Sequence, residues 1–184
     1  ACNRFMMYFL MSGILCFASL ALSEAIDIYQ SGFCPTVYYL TALYHVFAGF
    51  GVWGLHKAQS EHGGSMLSLV GATTTLIAYL GVIYFPIAVM GSGLSITGFL
   101  DVNPAYKISG ALWFAGMTLF GISILKIKHF TTWNGVVILL GTIIFTATPL
   151  LKWPTLLANV TNTVFAATAI YMCLMTLRNF QRIS

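Results

Sequence analysis

The chain has 184 residues, of which 59% are hydrophobic and only 7% charged, and its mean hydropathy is +0.89. A soluble domain of this length cannot hide that much apolar surface from water, whereas a bilayer solvates it. The net charge of +4 is scattered over links and chain ends, which argues against nucleic-acid binding.

A membrane-crossing helix needs roughly 20 apolar residues to pass a hydrocarbon core of about 30 Å. Such runs occupy residues 4–28, 36–55, 66–89, 106–125, 134–151 and 155–177. They predict an all-α integral membrane protein, one domain over residues 1–184, with six transmembrane helices. The first run is read as a retained helix, because it lacks a small-residue cleavage site and five similar runs follow. The longest link, residues 90–105, contains Gly91-Ser92-Gly93 and Asp101 and is expected to form a flexible lid or a re-entrant turn.

Charge placement orients these spans. Lys and Arg favour cytoplasmic links. With the N-terminus inside, Arg4, Lys57, Lys126, Lys128, Arg178 and Arg182 fall on the inner side, and only Lys107 and Lys152 on the outer. Both termini are therefore expected in the cytoplasm, and short loops with this bias fit a bacterial cytoplasmic membrane. Pro35, Pro86 and Pro154 lie near span ends, while Trp53, Trp133 and Trp153 lie near the interfaces where amphipathic rings are favoured. Trp113 is deeper and reads as a packing residue.

The four cysteines, Cys2, Cys16, Cys34 and Cys173, show neither CxxC spacing nor a disulfide framework. A weak repeat links Val46-Phe47-Ala48-Gly49 with Trp113-Phe114-Ala115-Gly116, and more loosely with Val164-Phe165-Ala166-Ala167. It suggests a duplicated helical hairpin. Gly49, Gly54, Gly116 and Gly121 repeat a Gly-x4-Gly spacing and are expected to allow close helix packing.

The stretch from Gly110 to Gly116, the basic turn Lys126, Lys128 and His129, and the helix opening at Trp133-Asn134-Gly135 make up one hairpin. This hairpin resembles the central hairpin of small six-span bacterial membrane proteins from families of unknown function. Those families usually place a proline before the second tryptophan, where this chain has Thr132. The resemblance implies a six-span fold and carries no catalytic residue with it.

Ionisable groups inside a span cost about 2.5 to 3.5 kcal/mol at the helix centre, so each needs a reason. His45 is the deepest, about 13 Å below the outer boundary at 1.5 Å per residue. Its N–H needs a partner, expected on another helix; its functional readings are proton transfer, haem ligation or a ligand pocket. A bis-histidine haem would need a second deep histidine, and His56, His62 and His129 all lie at the inner interface. Glu24 and Asp27 share a helix face at the outer end of span one, where they are either solvated or form the mouth of an outer cavity. Asn159, Asn162 and Thr163 form a polar stripe in the outer half of span six. With Tyr39, Tyr44, Tyr84, Thr146 and Thr148, they concentrate polarity toward the outside, leaving Thr73 to Thr75 as the main polar groups of the inner half.

No zinc spacing and no GxSxG, HExxH or Walker motif occurs. A rhomboid-type protease fails for want of a histidine in the last three spans, and a retinal protein for want of a lysine in the sixth. The leading expectation is a non-catalytic multi-pass membrane protein, an accessory subunit of a larger complex or a self-associating module, docking through the faces around Gly49 and Gly116. The first alternative is a transporter or channel with an outer-half site of Glu24, Asp27, His45, Asn159 and Asn162. The second is a redox subunit binding haem b or quinone, with His45 as ligand or hydrogen-bond donor. No cofactor is predicted on the leading reading, and the partners are the lipid bilayer, other membrane subunits or a second copy.

Overall fold

The computed structural model describes residues 4–29, 35–63, 65–93 and 102–181. Within them the chain forms seven helices: α1 (Arg4–Tyr29), α2 (Pro35–Ser60), α3 (Met66–Gly81), α4 (Phe85–Ser92), α5 (Pro104–Ile127), α6 (Thr132–Leu150) and α7 (Thr155–Gln181). Prolines open α2 and α5, positions where the missing N–H is unpaired anyway. Ser65 caps α3, its hydroxyl accepting from the Ser68 N–H at 3.4 Å.

The third predicted span is a broken rod. Pro86 has no N–H to give residue 82, and its ring crowds that carbonyl, so the helix ends at Gly81 and restarts at Phe85. The break turns α4 onto α2. There Val82, Phe85 and Val89 form a small cluster with Tyr38 and Tyr106, the Phe85 and Tyr106 rings stacked at 3.7 Å.

The helices close into a ring in the order α1, α2, α3, α5, α6, α7, with α7 returning to α1. Four helical stretches are long and apolar enough to cross a bilayer: Met6–Ile26, Met66–Ser92, Pro104–Ile127 and Thr155–Asn179. Thr132–Thr148 in α6 is apolar but shorter. α2 has ample length, yet tyrosines and His45 dilute its hydropathy. Its position explains why that is tolerated: no residue from Leu40 to His56 is exposed, so α2 faces protein on all sides. The outward faces of α1, α3 and α7 show the opposite, with Met11, Leu15, Leu22, Ile77, Leu80, Val160, Val164 and Leu174 exposed. Large exposed apolar area is unstable in water and favourable in lipid. The protein is a multi-pass helical membrane protein.

Glycines set how closely the helices approach. A Cβ on Gly51 would lie 2.5 Å from the Gly13 Cα, so α1 and α2 cross backbone to backbone. A Cβ on Gly116 would lie 2.5 Å from Thr75 Oγ1, and one on Gly71 would lie 2.7 Å from the Phe120 nitrogen, which fixes the α3–α5 crossing. Gly49 meets Leu76, Gly54 meets Phe9 and Leu10, and Gly121 meets Leu139. At each of these last three, and at Gly116, the near neighbour is a helix of this same chain. The faces around Gly49 and Gly116, expected to receive a partner, are already occupied by α3, because a buried glycine can accept only one neighbour.

Candidate functional site

One buried polar constellation lies where α1, α2, α3 and α5 meet. The Tyr44 hydroxyl on α2 hydrogen-bonds the Tyr79 hydroxyl on α3, and Trp113 Nε1 on α5 donates to the same Tyr79 oxygen at 2.8 Å. From α1, the Cys16 thiol donates to the Tyr44 carbonyl at 3.3 Å. Tyr44 and Tyr79 are buried, and Phe17 and Phe165 pack against the cluster through Tyr44 and Trp113. Phenol and indole suit this place, since their rings fill apolar volume while one polar atom finds a partner. Trp113 is thus a packing residue with a specific bond, and the tyrosine pair was not legible from spacing, because Tyr44 and Tyr79 sit on different helices.

His45 joins this cluster by its ring edges, with centroids 5.2 Å from Tyr44 and 5.9 Å from Tyr79. Its Nδ1 lies 2.7 Å from the Thr41 carbonyl, and a carbonyl can only accept, so Nδ1 carries the proton. The partner expected on another helix is therefore one turn back on α2 itself. Nε2 is left as the acceptor, the atom a metal or a proton would use. Among the described residues no three His, Cys, Asp or Glu side chains gather at metal-binding distance.

The outer-half residues converge only in part. Asn162 Nδ2 on α7 donates to Glu24 Oε1 on α1 at 2.8 Å, and Asn159 is buried nearby on the same helix. The contacts of His45 are with Thr41, Tyr44 and Tyr79, apart from that pair. Tyr39 and Tyr84 are exposed, so they do not line a shared interior. Thr146, Thr148 and Thr163 bond carbonyls one turn back on their own helices, which satisfies a hydroxyl in lipid without any ligand. Asp27 lies within α1, but its side chain is outside the described residues, as are Cys2, Cys34 and Asp101.

The half of the bundle expected to be inner holds a polar network that the sequence did not suggest. Gln59 and Ser123 are fully buried, as is Ser68. Ser68 Oγ lies 2.8 Å from both His56 Nδ1 and Gln59 Oε1, and Ser123 Oγ lies 3.1 Å from the same Gln59 oxygen. Ser123 Oγ is also 2.6 Å from the Phe120 carbonyl. A serine has one proton to give, and the shorter contact takes it. The network closes if the Gln59 amide is turned, so that its NH2 group donates to both serines while Ser68 donates to His56. In either orientation one Gln59 amide atom has no partner. Gln59, Ser68 and Ser123 come from three helices, so no local pattern reveals them.

At the inner end, links from opposite halves of the chain meet. His62 and His129 stack with centroids 4.0 Å apart and planes inclined by 29°. His62 Nδ1 donates to the Ala58 carbonyl at 3.0 Å. Burial and, secondarily, the charge of His62 hold the His129 imidazole below its ordinary pKa.

Comparison with protein-family models, curated proteins and solved structures finds no match for this chain. What the fold defines is a class, the multi-pass helical membrane proteins with a closed, polar-bonded interior.

Proposed function

We propose that the chain crosses a bacterial cytoplasmic membrane six times, with both termini in the cytoplasm, as a non-catalytic subunit that associates with another transmembrane helix. The broken α3–α4 rod makes one crossing, and α2 and α6 complete the six. The weak resemblance to small six-span bacterial proteins agrees with this count. The duplicated hairpin gains nothing from the packing: Gly49 and Gly116, matched in the repeat, both face α3, whereas a repeated hairpin would give each its own partner.

One observation carries the associating role. From Pro104 to Ala115, α5 buries only Ser109, with Tyr106 and Trp113 half-buried, while Gly110, Ala111, Leu112, Phe114 and Ala115 are exposed. A small-residue helical surface with that breadth permits close approach of a further helix. A Cβ on Gly110 would meet nothing within 4 Å, so this face, unlike those of Gly49 and Gly116, is unoccupied within the chain. The test is extraction in mild detergent with Ala111→Cys as a crosslinking site. The reading expects an adduct with a second copy or another membrane protein, lost in Gly110→Leu. A monomer with no adduct rejects it.

The transporter reading retains one supporting observation, the Glu24–Asn162 pair between α1 and α7. It expects ion or solute flux in proteoliposomes that Glu24→Gln abolishes. Flux that survives Glu24→Gln makes the pair a structural bond.

A further inference from the structure

At the inner end of the bundle, between the start of α6 and the last turns of α7, lies a cleft of about 60 Å³. Its polar lining is His129, Thr131 and Asn134 on one side and Thr176 and Asn179 on the other, with Tyr171 as a wall. Asn134 is 7% exposed, its backbone N–H bonds the Thr131 carbonyl at 3.0 Å, and its side chain makes no hydrogen bond to the described residues. Its side-chain amide lines the cleft with no protein partner among the described residues, which leaves it free to bond a molecule held there.

The helix start repeats the signal. Thr131 stands at the N-cap of α6, yet its hydroxyl makes no capping bond. The first N–H groups of a helix need acceptors, and this end of the helix carries partial positive charge. Lys128 directly precedes His129, and Arg178 directly precedes Asn179. No Asp or Glu lines the cleft; Glu61 is exposed beside His62, whose ring stacks on His129. Two side-chain donors at the positive end of α6, with no acid in the lining, call for an anion. The volume holds a few water-sized groups, which suits a tetrahedral oxyanion and is too small for a nucleotide.

We infer that this cleft binds a phosphate oxyanion, with the Asn134 side-chain amide and the Thr131 hydroxyl as donors at the positive end of α6. Two sources offer that chemistry, the headgroup of an anionic phospholipid and free phosphate. The inference rests on the bundle's geometry and not on helix association through α5.

The experiment uses the full chain in neutral-detergent micelles, titrated with phosphatidylglycerol in one arm and inorganic phosphate in the other, and read by native mass spectrometry. Saturable binding of the lipid alone assigns a headgroup site; binding of inorganic phosphate as well assigns a free-anion site. Asn134→Asp, nearly equal in volume, sets a like charge in the cleft and is expected to weaken binding by about tenfold or more. Thr131→Asp guards against misfolding as the cause, because aspartate is a favoured N-cap: it should keep or raise the melting temperature while binding falls. Wild-type protein that binds neither probe, or aspartate variants that bind as tightly as wild type, overturn the proposal.

Discussion

The Tyr79 hydroxyl is shared: Tyr44 hydrogen-bonds it from α2 and Trp113 donates to it from α5 at 2.8 Å. One oxygen thus ties three helices at the middle of the bundle, and the two substitutions at this pair should differ. Tyr79→Phe leaves both a buried phenol and a half-buried indole N–H without partners, at about 1–3 kcal/mol. Tyr44→Phe breaks one bond and leaves Tyr79 still held by Trp113, with a loss near the ~0.6 kcal/mol typical of membrane hydrogen bonds. Reversible unfolding in mixed micelles measures both. Equal losses would show that Trp113 does not depend on Tyr79.

The glycine crossings make a second pair of contrasting outcomes. Gly116→Ala forces a methyl to within 2.5 Å of Thr75 Oγ1 and 2.7 Å of the Thr75 nitrogen, so α3 and α5 must separate. A loss of about 1–3 kcal/mol is expected from such overpacking. Gly110→Ala on the same helix meets nothing and should be neutral or stabilising by about 0.5–1 kcal/mol through backbone entropy. The same unfolding measurement ranks them, and an inverted order would contradict the α3–α5 contact.

Gln59 should be the costliest polar residue to remove from the inner half. Gln59→Leu keeps the volume but strips Ser68 and Ser123 of a common partner, with an expected loss of about 1–3 kcal/mol. Adding Ser68→Ala and Ser123→Ala to Gln59→Leu should recover part of it, since the orphaned hydroxyls go too. A triple variant no more stable than Gln59→Leu would deny that the three form one unit.

The pH dependence of the inner end follows from His129. Its folded pKa is held down, so just below the ordinary histidine value, ~6.5, the unfolded chain binds a proton that the folded chain does not. The contribution is therefore intact above about pH 6.5 and is lost as pH falls through the folded pKa. His62→Gln removes the like charge but not the burial, which is the larger cause, so His129 should titrate higher yet still below its ordinary value. Imidazole proton shifts in NMR follow it directly. An unmoved His129 titration in that variant would show that the stacked ring does not influence its charge.

The expectation that holds rests on composition. The helical membrane class follows from composition; the break before Pro86 was not expected, since residues 66–89 read as one span, although the lost N–H explains it. Gly49, Gly54, Gly116 and Gly121 stand out in the sequence by their spacing, and a Cβ at each would meet another helix. Glu24 and Asn162 were legible as conspicuous polar residues, though not as partners, since 138 positions separate them. His45 misled in one respect: depth says that its N–H needs an acceptor, but not that Thr41, one turn away on the same helix, supplies it.

By itself the sequence determined the solvent this protein folds in, because transfer of apolar side chains is nearly additive along a chain. Only the tertiary structure decided which polar atoms meet: Tyr79 with Trp113, Gln59 with Ser123, and Asn134 with an open cleft. Those pairings depend on the rotation and crossing of helices far apart in sequence, and hydropathy carries no record of either.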